Sequence, residues 1–166
     1  MAQLPSDSAA TAAGGLETLA FMKSHFEWTR WPDLPAKMDR AVLAAAEKVA
    51  RMTDGPAHSA LCRYLGSVKT EESRKRLWQL TEDPAAREQA LIGLCWIADR
   101  EDMPRLGQAL VKGGKGAMSL PHHLFRAYGT DSLPHIRKAA RQSGDPHVRE
   151  QCRQALLKIG ESSSRP

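Results

Sequence analysis

Six histidines, three cysteines and one glycine-rich stretch are the residues of this chain whose types could do chemistry. The histidines are His25, His58, His122, His123, His135 and His147. None precedes a glutamate and no two stand in a His-x-x-x-His pair, so a helix-borne metal site lacks its ligands. Adjacent His122 and His123 project about 100° apart on a helix and cannot chelate together. All six read as surface or boundary residues, with His135 the one placed to contact a ligand. Cys62, Cys95 and Cys152 are widely spaced and form no Cys-x-x-Cys. They read as reduced thiols of a cytoplasmic protein, used as small core residues. In Lys112-Gly113-Gly114-Lys115-Gly116, Ala109 stands where a phosphate-binding loop needs its first glycine and Gly116 where it needs a hydroxyl. No Gly-x-Ser-x-Gly elbow and no Cys–His arrangement of catalytic spacing occurs. The expectation is a protein that is not an enzyme and carries no cofactor and no metal.

The elements that must position the remaining polar residues are helices. Sustained alternation of β-branched residues, the mark of strands, is absent from the sequence. Leu16, Leu19, Ala20, Met22 and Phe26 mark one apolar helix face, ending near Trp28. Pro32 and Pro35 break the chain. Met38, Val42, Leu43, Ala46, Val49 and Met52 then predict a long helix that stops at Asp54-Gly55-Pro56. Trp28 and Trp31 are expected to close the N-terminal end of the packing; the alternative is an exposed aromatic patch for a partner.

A repeat organises the rest. Asp83-Pro84-Ala85-Ala86-Arg87 returns as Asp145-Pro146-His147-Val148-Arg149, 62 residues later. The same offset maps Leu94 onto Leu156 and Ile97 onto Ile159. At an offset of 30, about half that distance, Met103-Pro104-Arg105-Leu106 matches Leu133-Pro134-His135-Ile136, and Leu94 maps onto Leu124. Each unit is thus about 30 residues and holds two short helices. Asp caps the first helix and Pro fills its first turn, where the missing N–H costs nothing. Arg87 and Arg149 are expected to pair with carboxylates. The recurring Leu94, Ile97, Leu106, Leu124, Ile136, Leu156 and Ile159 are the predicted core.

Asp83-Pro84-x-x-Arg87-x-x-Ala90, followed by Leu94, Ile97, Asp99, Met103-Pro104 and Leu106, resembles the HEAT repeat in its compact, phycobilisome-lyase-type form. The resemblance covers residues 56–160 well and the preceding helix pair loosely. It implies an all-α fold, a right-handed solenoid of stacked antiparallel helix pairs. Residues 1–15 would be a flexible leader, 16–55 a helix pair capping the stack, 56–160 the repeats and 161–166 a frayed tail. The resemblance also implies protein binding as the usual role. The Asp-Pro opening is missing at Lys112–Gly116, so a loosened loop between repeats is expected there.

Stacking places equivalent positions of successive second helices in ladders along one face, the concave one in this family. Aligned on Leu77, Leu106 and Ile136, the preceding position reads Arg76, Arg105, His135. Two residues after the anchor it reads Gln79, Gln108, Lys138. Rows three apart share a helix face. Trp78, Gly107 and Arg137 stand between these rows, and Arg141 extends the last helix by a turn. The predicted partner-binding surface is therefore Arg76, Trp78, Gln79, Arg105, Gln108, His135, Arg137, Lys138 and Arg141.

Charge points the same way. The 166 residues carry 24 Lys+Arg and 19 Asp+Glu, a formal +5, with pI near 9.3 and mean hydropathy −0.46. Residues 1–55 hold six and seven of these, so the excess lies in the repeats. A basic face attracts an acidic protein surface or nucleic acid. No apolar run approaches the ~20 residues of a membrane span, so no membrane partner is expected. The expected function is a protein-binding adaptor or inhibitor, for instance a toxin-neutralising immunity protein, monomeric when free and bound by an acidic partner. The alternatives are a nucleic-acid-binding HEAT-like protein, or a lyase or chaperone for a tetrapyrrole protein.

Overall fold

Two features of the sequence fix where helices begin: a small polar residue that can accept from exposed N–H groups, and a proline within the first turn. The structure, a computed structural model, describes residues 14–19, 33, 36–43 and 55–163. Among them every regular element is helical and no strand occurs. Residues 14–19 form α1 and residues 36–43 form α2. They are followed by α3 (Gly55–Val68), α4 (Glu71–Leu80), α5 (Arg87–Ile97), α6 (Met103–Lys112), α7 (Leu120–Tyr128), α8 (Leu133–Gln142) and α9 (Pro146–Ser163). Short 3₁₀ turns at Arg100–Asp102, Lys115–Ala117 and Gly129–Ser132 lead into α6, α7 and α8. The expected helices through Phe26 and Met52 lie partly, and the Trp28/Trp31 pair and His25 wholly, outside the described residues.

The chain divides into two compact units, the first ending at Gly93 and the second starting at Leu94. In the first, α3 packs on α4, and Leu61, Leu65, Leu77 and Leu91 are fully buried. Burying each such side chain contributes about 1.5–3 kcal/mol. Tyr64 is buried with them and donates to Asp39 on α2 at 2.9 Å. Burial and that carboxylate together push its phenol pKa up. Gly93 is required by close packing: a β-carbon there would lie 2.8 Å from the Cys62 carbonyl oxygen. His58 corrects the expectation of six surface or boundary histidines. It is buried, because its place on α3 follows Ala57 and precedes Leu61 and Cys62 by three and four residues, on the apolar face.

In the second unit α6 packs on α8 and α7 on α9, and consecutive α6–α7 and α8–α9 also pack. Leu94, Leu106, Leu124 and Ile136 are fully buried, as the repeat predicts. Ile97, Leu156 and Ile159 are only half-buried. On α9 the buried side is Val148, Cys152 and Ala155, which leaves Leu156 and Ile159 on its flank. Pro104, Pro121 and Pro134 each occupy the first turn of α6, α7 and α8.

The two Asp-Pro motifs share a hydrogen-bond pattern but not a helix start: α9 opens at Pro146, directly after Asp145, whereas α5 opens only at Arg87, so Asp83 sits in the turn before it and does not cap α5 as expected. Asp83 Oδ1 accepts from Ala85 N at 2.8 Å and Asp145 Oδ1 from His147 N at 2.9 Å. The main-chain N–H groups of Arg87 and Arg149 donate to the carbonyls of the same aspartates. Among the described residues, however, the arginines do not pair with carboxylates as expected. Arg149 donates to the Ser143 carbonyl at 2.6 Å, and Arg87 Nε is buried with no hydrogen-bond partner among the described residues.

Candidate functional site

The predicted ladder divides between the two units. Arg76, Trp78 and Gln79 lie on α4 of the first. Arg76 Nη1 donates to Gln79 Oε1 at 2.9 Å, so these two rungs are engaged with each other. Trp78 is half-buried. The other six residues lie on α6 and α8 of the second unit, which pack side by side.

A groove of about 390 Å³ runs between α6 and α8. Gln108, His135 and Lys138 line it together, as the alignment of second helices implies. Lys112 joins them, four residues beyond Gln108 on the same face of α6. Pro104 and Val111 add apolar wall. Gly107 makes the close approach possible: a β-carbon there would lie 2.7 Å from His135 Cγ. Arg105 is exposed on α6 but does not line this groove.

Arg137 and Arg141 belong to the other side of α8. With Ala140, Arg153 and Leu156 they line a second groove, of about 540 Å³, facing α9. Four residues apart, they share a face that lies about 100° from that of His135 and Lys138. Arg153 falls outside the ladder, which holds second helices only, because the Asp145-Pro146 opening makes α9 a first helix. At this groove Arg153 stands 3.5 Å from Glu150 on its own helix.

The electrostatics of the second unit are one-sided. Residues 94–166 hold 12 of the 24 Lys+Arg but 7 of the 19 Asp+Glu, so all of the net +5 resides here. Between Met103 and Gly144 seven cations stand against one carboxylate, Asp131. Asp131 is bridged to Arg100 at 3.2 Å, at the start of α8. A carboxylate at a helix start complements the dipole, and within α6 and α8 themselves Lys112, Arg137, Lys138 and Arg141 are exposed cations with no carboxylate in either helix.

The glycine-rich stretch is not a loosened loop. Gly113 (φ +74°) and Gly114 (φ +95°) adopt conformations that favour glycine, and Gly113 is buried against Ser143 and Asp145. Asp145 Oδ2 accepts from Gly114 N at 3.1 Å while its Oδ1 caps α9. The His147 N–H, with those of Val148 and Gly114, holds the Asp145 carboxyl below its ordinary pKa.

All three cysteines are buried. Burial, reinforced by Asp83, pushes Cys62 up to about 12; burial with Asp102 does the same for Cys95, and burial alone raises Cys152 to about 11. Thiols so raised are poor nucleophiles. Among the described residues no group of three or more His, Cys, Asp or Glu is placed to hold a metal ion. Among them, too, no helix is long and apolar enough to cross a membrane. The chain matches no family model, no curated protein and no solved structure.

Proposed function

We propose that the chain is a non-catalytic protein-binding module, a compact HEAT-like helical stack, which takes the acidic surface of a partner protein on the exposed faces of α6 and α8. The observation that carries this is the charge segregation: seven cations against one bridged carboxylate from Met103 to Gly144. Opposite potentials steer and orient such encounters. The packing of α6 on α8 and of α7 on α9, with Pro104 and Pro134 in equivalent first turns, supports the repeat reading. An adaptor or an inhibitor of the immunity type fits this surface. Single-stranded nucleic acid is disfavoured, because its binders interleave cations with aromatic stacking platforms and no Phe, Tyr or Trp lines either groove.

The test is fluorescence anisotropy with labelled poly-glutamate, comparing wild type with Lys112→Glu/Lys138→Glu. Both sites are exposed, so stability should stay within about 0.5 kcal/mol per site. The double variant should bind at least ten times more weakly. Equal binding by the two proteins would place the surface elsewhere.

A further inference from the structure

Two grooves flank α8, and they are not equivalent. The α8–α9 groove already has a carboxylate at its edge, since Glu150 stands 3.5 Å from Arg153. The α6–α8 groove is lined by no carboxylate. Its polar lining is Gln108, Lys112, His135 and Lys138, two of them full cations. Lys112 and Lys138 come from different helices, so the groove presents a positive charge from each wall. Pro104 and Val111 offer apolar surface for the methylenes of an acidic side chain. The volume, about 390 Å³, is near the lower end of ligand pockets, roughly 300–1,000 Å³. That space holds a few side chains of a bound segment, and an extended segment can place a carboxylate against each wall.

We propose that the α6–α8 groove is the anchor point for an extended, glutamate- or aspartate-rich segment of a partner protein. Lys112 and Lys138 take its carboxylates, the Gln108 amide donates a further hydrogen bond, and His135 forms one wall. The position of that wall is set by Gly107, whose missing side chain lets the imidazole sit directly on α6. The proposal rests on the acidic-partner reading above and assigns it to one groove.

The experiment measures binding of a labelled hexaglutamate peptide at about 50 mM salt to wild type, Lys112→Gln/Lys138→Gln and Arg137→Gln/Arg141→Gln. Both double variants lose two charges, so they differ only in which groove is affected. A dT12 oligonucleotide serves as a second ligand. The expected result is a loss of tenfold or more for the Lys112/Lys138 variant and less than threefold for the Arg137/Arg141 variant, with circular dichroism unchanged in both. Equal losses would mean diffuse attraction, and a larger loss for the arginine pair would move the anchor to α8–α9. Either overturns the groove assignment and leaves the acidic-partner reading standing. Tighter binding of dT12 through the same lysines would overturn the peptide as occupant. Wild type that binds no hexaglutamate would overturn both proposals.

Discussion

Gly107 on α6 is the seat of His135 on α8: a β-carbon on the glycine would lie 2.7 Å from the imidazole Cγ and 3.0 Å from Cβ. The contact reaches to the base of the histidine side chain, so a simple rotation of the ring's far end does not relieve it.

Gly107→Ala should therefore destabilise the second unit by about 1–3 kcal/mol, the range for overpacking. In a His135→Ala background the same substitution should be neutral or stabilising by about 0.5–1 kcal/mol, since alanine is the better helix residue. A urea double-mutant cycle measures this coupling. Additive effects would show that the two residues do not press on one another.

Asp145 predicts a pH dependence. Its folded carboxyl ionises below the ordinary aspartate value, about 3.9 in an unfolded chain. Its stabilising contribution is thus complete above that value and is lost as pH falls through the lower folded pKa. Asp145→Asn retains an oxygen to cap α9 but cannot ionise. Below about pH 4 the wild-type Tm should fall more steeply than the variant's. Parallel curves would mean that the Asp145 charge contributes nothing to the fold.

Ala98 ends α5 with φ +57° and an exposed side chain. An L-residue there bears the left-handed penalty that glycine avoids. Ala98→Gly should raise stability by about 0.5–1 kcal/mol, read as a higher denaturation midpoint at unchanged m-value. A lower midpoint would contradict the assigned conformation.

Cys62, Cys95 and Cys152 should resist iodoacetamide at pH 8 in the native state and react fully in denaturant, since each is buried with a raised pKa. Mass spectrometry of the native protein checks it. Rapid native labelling of any one would expose a reactive thiol.

Much of the second unit was legible because the repeat constrains it twice, by cap and by core. Asp145 caps, Pro104 and Pro134 open helices, and Leu94, Leu106, Leu124 and Ile136 are buried, all from equal spacing. Leu156 and Ile159 were overestimated because spacing gives the register and not the width of a buried stripe. On α9 that stripe is narrower, and Val148, Cys152 and Ala155 fill it. The clamp of Asp145 on Gly114 joins residues 31 apart, and no local pattern signals such a contact. The ladder of second helices found Gln108, His135 and Lys138 together. It placed Arg137 and Arg141 beside them without weighing the 100° per residue that turns those two toward α9. Lys112 was recoverable by the same rule, four residues after Gln108.

The central claim, an acidic partner held on the α6 and α8 faces, is tested most directly by amide NMR shifts during titration of hexaglutamate into the whole chain. The account predicts saturable shifts concentrated in residues 104–112 and 133–141, fading with added salt. Shifts concentrated in the first unit, or none at any peptide concentration, would contradict it.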